Sequence, residues 1–425
     1  MSLSGADRPR LRIAFAYDAM VPYCSGGAER RFHELATRLA IRHDVHYVTW
    51  RYWGDDPILI RDGITYHGVG SPRPFYGADG RRRLGEQLAF AVRVPTALAR
   101  IHPDVIDVSA TPFLPVYAAW LGTRLTRTPL VATWHEYWGE HWQAYLDNRR
   151  VVARLARIAE RGARPLADRR VAVSGFTARR LVGDGGARPR HGWRDALDIV
   201  PNGVDLGVLA PAGSATPPER PIDVVFVGRL IAEKRVDLLV RSIALLAGHR
   251  PSIRCEIVGD GPERESLMAL IAELGVEAQV TLTGRLDQDE LPRRLGAARI
   301  LAMPSSREGY GIAVVEGQAV GAVPIVARSP LSAAPDLVEH GSDGLVVDGT
   351  SDAFANAIAD LLDHPGSLER LSAAARATAA GRGWDARAVD VERVYVDLVA
   401  GRRARRFRIP DAGRRAEARR WGAGT

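Results

Sequence analysis

Two glutamates eight residues apart bracket a glycine-rich turn in Glu308-Gly309-Tyr310-Gly311-Ile312-Ala313-Val314-Val315-Glu316. The segment follows the apolar run Ile300-Leu301-Ala302-Met303 and reads as a strand end that opens into a helix. Gly309 and Gly311 leave the backbone open to close approach by a ligand. Free amides at the helix start suit a phosphate. Glu316 is the only charged residue between Gly309 and Ala327. A carboxylate in so apolar a segment is costly unless it is paired or wet. Sugar or ribose hydroxyls would satisfy it; the competing reading is a glutamate that caps or snorkels at a helix surface.

A matching cation lies upstream. Of 58 basic residues a single one, Lys234, is lysine. It ends Val227-Gly228-Arg229-Leu230-Ile231-Ala232-Glu233-Lys234, where a strand is expected to turn into a helix. A cation in a helix's first turn opposes the macrodipole. An anionic ligand there would account for it, and the alternative is a chance surface lysine. Arg229 and Lys234 together could neutralise a diphosphate, and would stabilise it as a leaving group.

Two weaker patterns complete the set. In Cys24-Ser25-Gly26-Gly27-Ala28-Glu29-Arg30 a glycine pair enters a helix, a phosphate-approach element or an ordinary turn. It lacks the third glycine and the acidic strand end of a dinucleotide fingerprint, which argues against a nicotinamide cofactor. In Thr133-Trp134-His135-Glu136-Tyr137-Trp138 a histidine just past a strand could contact substrate and share its proton. Trp134, Trp138 and Trp142 read equally as cleft lining and as core.

The elements that must position these residues alternate throughout. Strands are expected at 11–17, 45–49, 105–108, 130–133, 171–173 and 197–200, then at 223–227, 254–258, 279–283, 299–303, 323–327 and 344–347, with helical patterns between them. That alternation predicts two doubly wound, Rossmann-like α/β domains facing across a cleft. Ligands of such sheets bind beyond the carboxyl ends of the strands, where all four motifs fall. Residues 1–209 are expected to form the first domain and 222–383 the second, with a Pro- and Ala-rich linker at 210–221. A last helix is expected at 384–400 and a basic, disordered tail at 401–425.

Composition bounds the rest. At 425 residues, 46% hydrophobic and 25% charged, the chain has a globular make-up. No apolar run is long enough to span a bilayer, and the start leads into a first strand rather than a signal peptide. Two distant cysteines imply no disulfide framework, so the cytoplasm is the expected setting. The net charge of +8 is concentrated: residues 401–425 hold nine arginines against two acids, so the body is nearly neutral. That arm, and the eight arginines of residues 149–170, are read first as solvated surface and second as contacts for an anionic membrane. No nucleic-acid partner is expected. Asp287-Gln288-Asp289 resembles a metal-binding Asp-x-Asp but stands at a helix start that favours acids anyway, so no metal is assigned.

Together these motifs resemble glycosyltransferase family 4, retaining enzymes of GT-B architecture, over about Leu11 to Leu398. Glu308 through Pro324 is the most specific part; Gly228-Arg229-Leu230 with Glu233-Lys234, Pro201-Asn202-Gly203-Val204-Asp205, Gly259-Asp260-Gly261-Pro262 and Gly26-Gly27 also match. The resemblance implies a metal-independent transfer, without a further cofactor, from a nucleotide diphosphate sugar to an acceptor hydroxyl on a sugar, lipid-linked or small molecule. A setting in cell-envelope glycan or glycolipid synthesis follows by analogy. Glu308 would contact the donor sugar and Glu316 the ribose. Arg229 and Lys234 would bind the diphosphate, with Gly26 and Gly27 approaching it from the other domain. Gly309, Tyr310, Gly311 and Ile312 would line the donor, and His135 would sit beside the transferred sugar. The last helix would cross back onto the first domain. Three departures stand out: Arg235 where a glycine commonly follows the lysine, Glu136 for a frequent aspartate, and Ala333-Ala334-Pro335-Asp336 for a Gly-Gly-x-Pro-Glu loop. The alternatives are a nucleotide-sugar 2-epimerase of the same shape and a binding scaffold that has lost catalysis.

Overall fold

The computed structural model describes residues 9–24, 26–75, 82–146, 149–183, 196–212, 220–287 and 289–407. Two sheets organise them. The first has the order β3-β4-β2-β1-β5-β6-β7-β8. Its strands are β1 (Arg12–Ala16), β2 (Asp44–Thr49), β3 (Ile58–Arg61), β4 (Ile64–Gly68), β5 (Val105–Ser109), β6 (Leu130–Trp134), β7 (Arg169–Ala172) and β8 (Leu197–Ile199). All pairs are parallel except β3 with β4. The second sheet is wholly parallel, in the order β11-β10-β9-β12-β13-β14. It contains β9 (Ile222–Val227), β10 (Cys255–Val258), β11 (Val280–Gly284), β12 (Ala298–Met303), β13 (Val323–Arg328) and β14 (Leu345–Asp348). Central strands such as β5 and β6 are buried along their length, as expected where helices cover both faces.

The strand orders explain where the motifs must lie. In the second sheet the chain winds one way from β9 to β10 and β11, and the other way from β12 to β13 and β14. The crevice of such a switch opens between β9 and β12. The Gly228-to-Lys234 turn leaves β9 and the Glu308-to-Glu316 segment leaves β12, so both face that crevice. In the first sheet β1 and β5 play the same part, with the Gly26-Gly27 turn after β1.

Backbone packing fixes the turn after β9. A Cβ on Gly259 would stand 1.8 Å from the Gly228 carbonyl oxygen, and one on Gly261 2.3 Å from that of Leu230. Only glycines let the two loops lie backbone to backbone. In that arrangement the Leu230 amide donates to the Asp260 carbonyl (3.0 Å), and the Glu263 amide to that of Leu230 (3.0 Å).

Four expectations need correction. Lys234 is not in the first turn of a helix: it ends the 3-10 turn Ala232–Lys234, and the helix Val236–Ala247 starts two residues later. Arg235 between them is left-handed, with φ 49° and ψ 43°, which is why a glycine suits that position. The stretch expected as linker from 210 begins inside the helix Leu206–Ala212, which packs on the helices Glu290–Gly296 and Ile312–Val320; residues 213–219 lie outside the described ones. The hairpin β3-β4 was not anticipated, because its short, partly exposed strands interrupt a region rich in turn residues. The last helix runs from Trp384 to Phe407, so the tail is helical at its start; residues 408–425 lie outside the described ones.

That last helix buries Trp384, Val391, Val394, Tyr395 and Val399 against Leu11, Ile13 and Phe15 of the first sheet's core. Tyr395 donates its hydroxyl to buried Asp107, whose carboxyl is pushed up to about 6 by burial. The chain therefore crosses to the second sheet once and returns.

Two outcomes test these constraints. Gly259→Ala forces the Gly228 loop to move and is expected to cost about 3 kcal/mol or more, read as a fall in Tm. Arg235→Gly relieves a left-handed arginine at the expense of chain entropy, for a net gain of about 0.5–1 kcal/mol. In urea unfolding the midpoint of that variant rises without a change in slope.

Candidate active site

The segment after β12 meets the segment after β6 at van der Waals distance. A Cβ on Gly309 would stand 2.3 Å from the His135 carbonyl oxygen, so glycine is required for closure. The Gly309 carbonyl in turn accepts from Ser174 Oγ (2.8 Å) and Thr177 Oγ1 (3.3 Å), at the end of β7. Tyr310 is 6% exposed, and its hydroxyl donates across the seam to the Asn202 carbonyl (2.9 Å). Gly311, with φ 97°, turns the chain into the helix Ile312–Val320. Ile312 packs against the cores of both sheets.

The acids of this segment are paired with cations. Glu308 forms an ion pair with Lys234, and Glu316, 4% exposed, forms one with Arg30 of the first sheet's unit. The loop that departs from the usual glycine pair supports Glu308. The Glu308 amide donates to the Leu331 carbonyl (3.3 Å) and its carbonyl accepts from the Ala333 amide (2.8 Å). Asp336 in that loop pairs with Arg179 across the crevice (2.5 Å). A third pair, Arg307 with Glu136 (2.5 Å), also crosses between the units, and Arg307 lies 3.4 Å over the Trp138 ring. Arg229 is exposed, two residues past the end of β9.

His135 lies on the first unit's wall, with Tyr17 stacked at 6.4 Å and Phe32 at 5.6 Å. Burial pushes its imidazole down to about 3, helped by the Arg31 guanidinium, so the ring is neutral near pH 7. Its Nε2 is buried and has no hydrogen-bond partner among the described residues. A buried ring nitrogen without a partner is a group that calls for an explanation. Gly26 is extended, and Gly27, the first residue of the helix Gly27–Ala40, has open space beside its Cα. A phosphate could therefore reach the amides of that helix start. Arg31 of the same helix is buried and ties it to the segment after β8, donating to the Pro201 carbonyl (2.8 Å) and to Asn202 Oδ1 (3.0 Å).

The structure thus brings Lys234, Glu308, Gly309, Gly311, Glu316, Gly27 and His135 around one crevice. Arg30, Arg307, Ser174 and Thr177 were missed. Arg30 stood in the quoted glycine motif, but its partner lies 286 positions away and nothing local names it. The tryptophans divide. Trp134 is core, whereas Trp138 stacks on Trp142 (5.0 Å) and meets Tyr145 edge-on (4.5 Å) beside the crevice. Glu160 orders that cluster by accepting from the amides of Trp138 (2.9 Å) and Gly139 (2.7 Å) and from the Trp142 indole (2.9 Å). Asp287 accepts from the amides of Asp289 (3.0 Å) and Glu290 (2.7 Å), and so serves as a helix cap.

Comparison with known proteins agrees with this geometry. The family described as "Glycosyltransferase Family 4" matches residues 25–208, and "Glycosyl transferases group 1" matches residues 213–378. The D-inositol 3-phosphate glycosyltransferase of Acidothermus cellulolyticus is 37% identical over 421 residues, covering 90% of this chain and 88% of the relative. That of Thermobispora bispora is 30% identical over 395 residues, covering 88% and 90%. Sucrose-phosphate synthase from Thermosynechococcus elongatus superposes with a TM-score of 0.75 at 20% identity, over 92% of this chain and all of the other. Anabaena Alr3699/HepE, solved with UDP and glucose, gives 0.67 at 21%, with the same coverage. The chain has the GT-B fold and belongs to glycosyltransferase family 4; it is a glycosyltransferase.

Proposed function

We propose that the crevice between the sheets binds a nucleotide diphosphate sugar and transfers its sugar, with retention, to an acceptor hydroxyl. The observation that carries this reading is the charge order of the crevice. Two acids stand eight residues apart on one turn and helix, with Lys234 on one and Arg30 on the other. In the donor-bound state Glu316 would take the ribose hydroxyls and Glu308 the hydroxyls of the transferred sugar. Lys234 and Arg229 would turn to the diphosphate, with the helix start at Gly27 facing it.

Chemistry then follows from the leaving group. The bond between the anomeric carbon and the diphosphate oxygen breaks while the acceptor oxygen closes on the same face. The acceptor's proton passes to the departing phosphate oxygen, so no protein nucleophile is required. Two cations and a helix start stabilise the charge that develops on the diphosphate. His135, neutral and with Nε2 open, would orient the sugar as a hydrogen-bond partner rather than as a charge. The relatives are named for transfer to inositol 3-phosphate, and none of those reported is an epimerase.

A second reading concerns location. The helix Arg150–Ala163 exposes Val151 (72%), Val152 (50%), Leu155 (61%) and Ile158 (58%) along one stripe. Arg150, Arg154, Arg157 and Arg161 flank it. An apolar stripe rimmed by arginines matches an anionic lipid surface, and we infer peripheral contact there. No described helix is long and apolar enough to cross a membrane. The arginine tail beyond 407 would add to this contact.

Lys234→Ala is expected to lower kcat/KM by about 10²–10³, as for loss of a charge that meets the transition state. Lys234→Arg should be impaired as well, because a planar guanidinium does not replace a compact ammonium. Full turnover by the arginine variant would return Lys234 to an ordinary surface role. A thermal-shift screen against UDP-, GDP- and ADP-sugars reads the donor directly, since tight ligands raise apparent stability. For the membrane contact, the full chain should float with phosphatidylserine vesicles at low salt, and Leu155→Ser with Ile158→Ser should float less. If neither the full chain nor a chain ending at 407 floats, the contact does not exist.

A further inference from the structure

Where the chain crosses between the units, Val204 and Gly383 form a short parallel bridge, and the Val204 amide donates to the Arg382 carbonyl (3.0 Å). A cavity of about 250 Å³ adjoins this double crossover. Gly175, Asn202, Tyr310, Asp336, Arg382 and Arg387 line it, so both units and the last helix contribute. Its lining includes none of Gly27, His135, Lys234, Glu308 and Glu316.

The charge around this cavity is mostly positive and poorly answered. Arg382 donates to Gln318 Oε1 (2.9 Å) and to the Leu337 carbonyl (3.4 Å), both uncharged. Arg387 reaches the Gly381 carbonyl (3.4 Å) and Asp390 (3.5 Å), and its Nε is buried with no hydrogen-bond partner among the described residues. Arg31, 1% exposed, holds Asn202 through Oδ1 (3.0 Å), and its own Nε and Nη2 likewise have no partner among the described residues. Burial pushes the Arg31 guanidinium down to about 10, so it is still charged at neutral pH. Burial raises the Tyr310 hydroxyl, while Arg382, Arg387 and Arg31 pull it back, so three guanidinium groups act at this point. Among the described residues the one acid of the lining is Asp336, which Arg179 holds (2.5 Å).

Two helix starts add to the same field. Gly175 begins the helix Gly175–Gly183. Arg387 closes the first turn of the helix Trp384–Phe407, where a cation opposes the macrodipole. Asp385 of that turn is held by Arg38 (2.6 Å). An anion in the cavity would offset this crowding of positive charge and give the Arg387 fork a charged acceptor.

We propose that the cavity binds a small tetrahedral oxyanion of the phosphate class, either phosphate itself or a phosphomonoester on a compact group. A water takes about 30 Å³ in the liquid, so the space admits such an ion with a small group attached. Arg382 and Arg387 supply the charged hydrogen bonds, and the helix start at Gly175 faces the ion from the first unit. This site is separate from the donor reading and does not depend on it.

The test titrates inorganic phosphate into the full chain by calorimetry, against chloride at equal ionic strength. The tightest binder among UDP, GDP and ADP is held at saturation, so that the proposed diphosphate position is filled. Wild type should bind phosphate saturably, and sulfate should compete. Arg387→Gln and Arg382→Gln should each weaken phosphate about tenfold or more, as for loss of a charged hydrogen bond, and leave nucleotide affinity within about twofold. Arg387 gives up only contacts of 3.4 and 3.5 Å among the described residues, so its variant decides the matter should Arg382→Gln not fold. Glucose 6-phosphate that binds more tightly than phosphate identifies a phosphomonoester as the occupant, and weaker binding identifies phosphate itself. No saturable phosphate binding, or unchanged binding in Arg387→Gln, overturns the proposal. Failure of the donor reading shows separately, as no nucleotide binding; Lys234→Ala then replaces the filled position, and phosphate binding lost in that variant also overturns the proposal.

Discussion

A carboxylate enclosed in a seam between two packed units must find a cation or give up its charge. Among the described residues the seam holds three such acids, Glu308, Glu316 and Glu136, and each has one, in Lys234, Arg30 and Arg307. Two of the three pairs bridge the units. These charges are thus assembled and mutually neutralised along the seam. Binding has to exchange partners within that set rather than bring charge into an apolar gap. The desolvation that makes such pairs costly to form also makes a half-emptied set unstable, which favours a ligand that answers both halves at once.

Backbone packing holds this set in place more than side chains do. Gly259 and Gly261 let one loop lie on another, and Gly309 lets the segment after β12 touch the carbonyl of His135. The helix Trp384–Phe407 secures the first unit from behind through Tyr395 and Asp107. Such contacts fix positions to a fraction of an ångström, because a single methyl group would break them.

Much of this was legible beforehand, for physical reasons. Strand and helix periods alternate clearly, so all twelve expected strands are present. Glycines at strand ends mark places where backbone meets backbone or ligand, which made the four motifs readable. Side-chain direction was not. Tyr310 sits amid the most specific motif, yet its hydroxyl is claimed by the Asn202 carbonyl across the seam. Arg30 and Arg307 were invisible because their partners lie across the seam, and sequence spacing carries no trace of a contact made 286 positions away. The turn after β9 was misplaced by two residues because a 3-10 turn and a helix start look alike to a periodicity argument. The arginine-rich helix was weighed first as a solvated face, since charge is easier to see in a sequence than the exposure of the valines and leucines between.

The solitary lysine has one more consequence. Arginine does not acylate or undergo reductive methylation under the conditions that modify an amine, so this chain offers a single side-chain target to such reagents. That target lies in the crevice, 19% exposed and tied to Glu308. Isotopic methylation would install one side-chain reporter, at the position where the two units meet, without any mutation. Its rate of modification would follow the opening of the crevice, and its resonance would register the charge that comes to rest beside it.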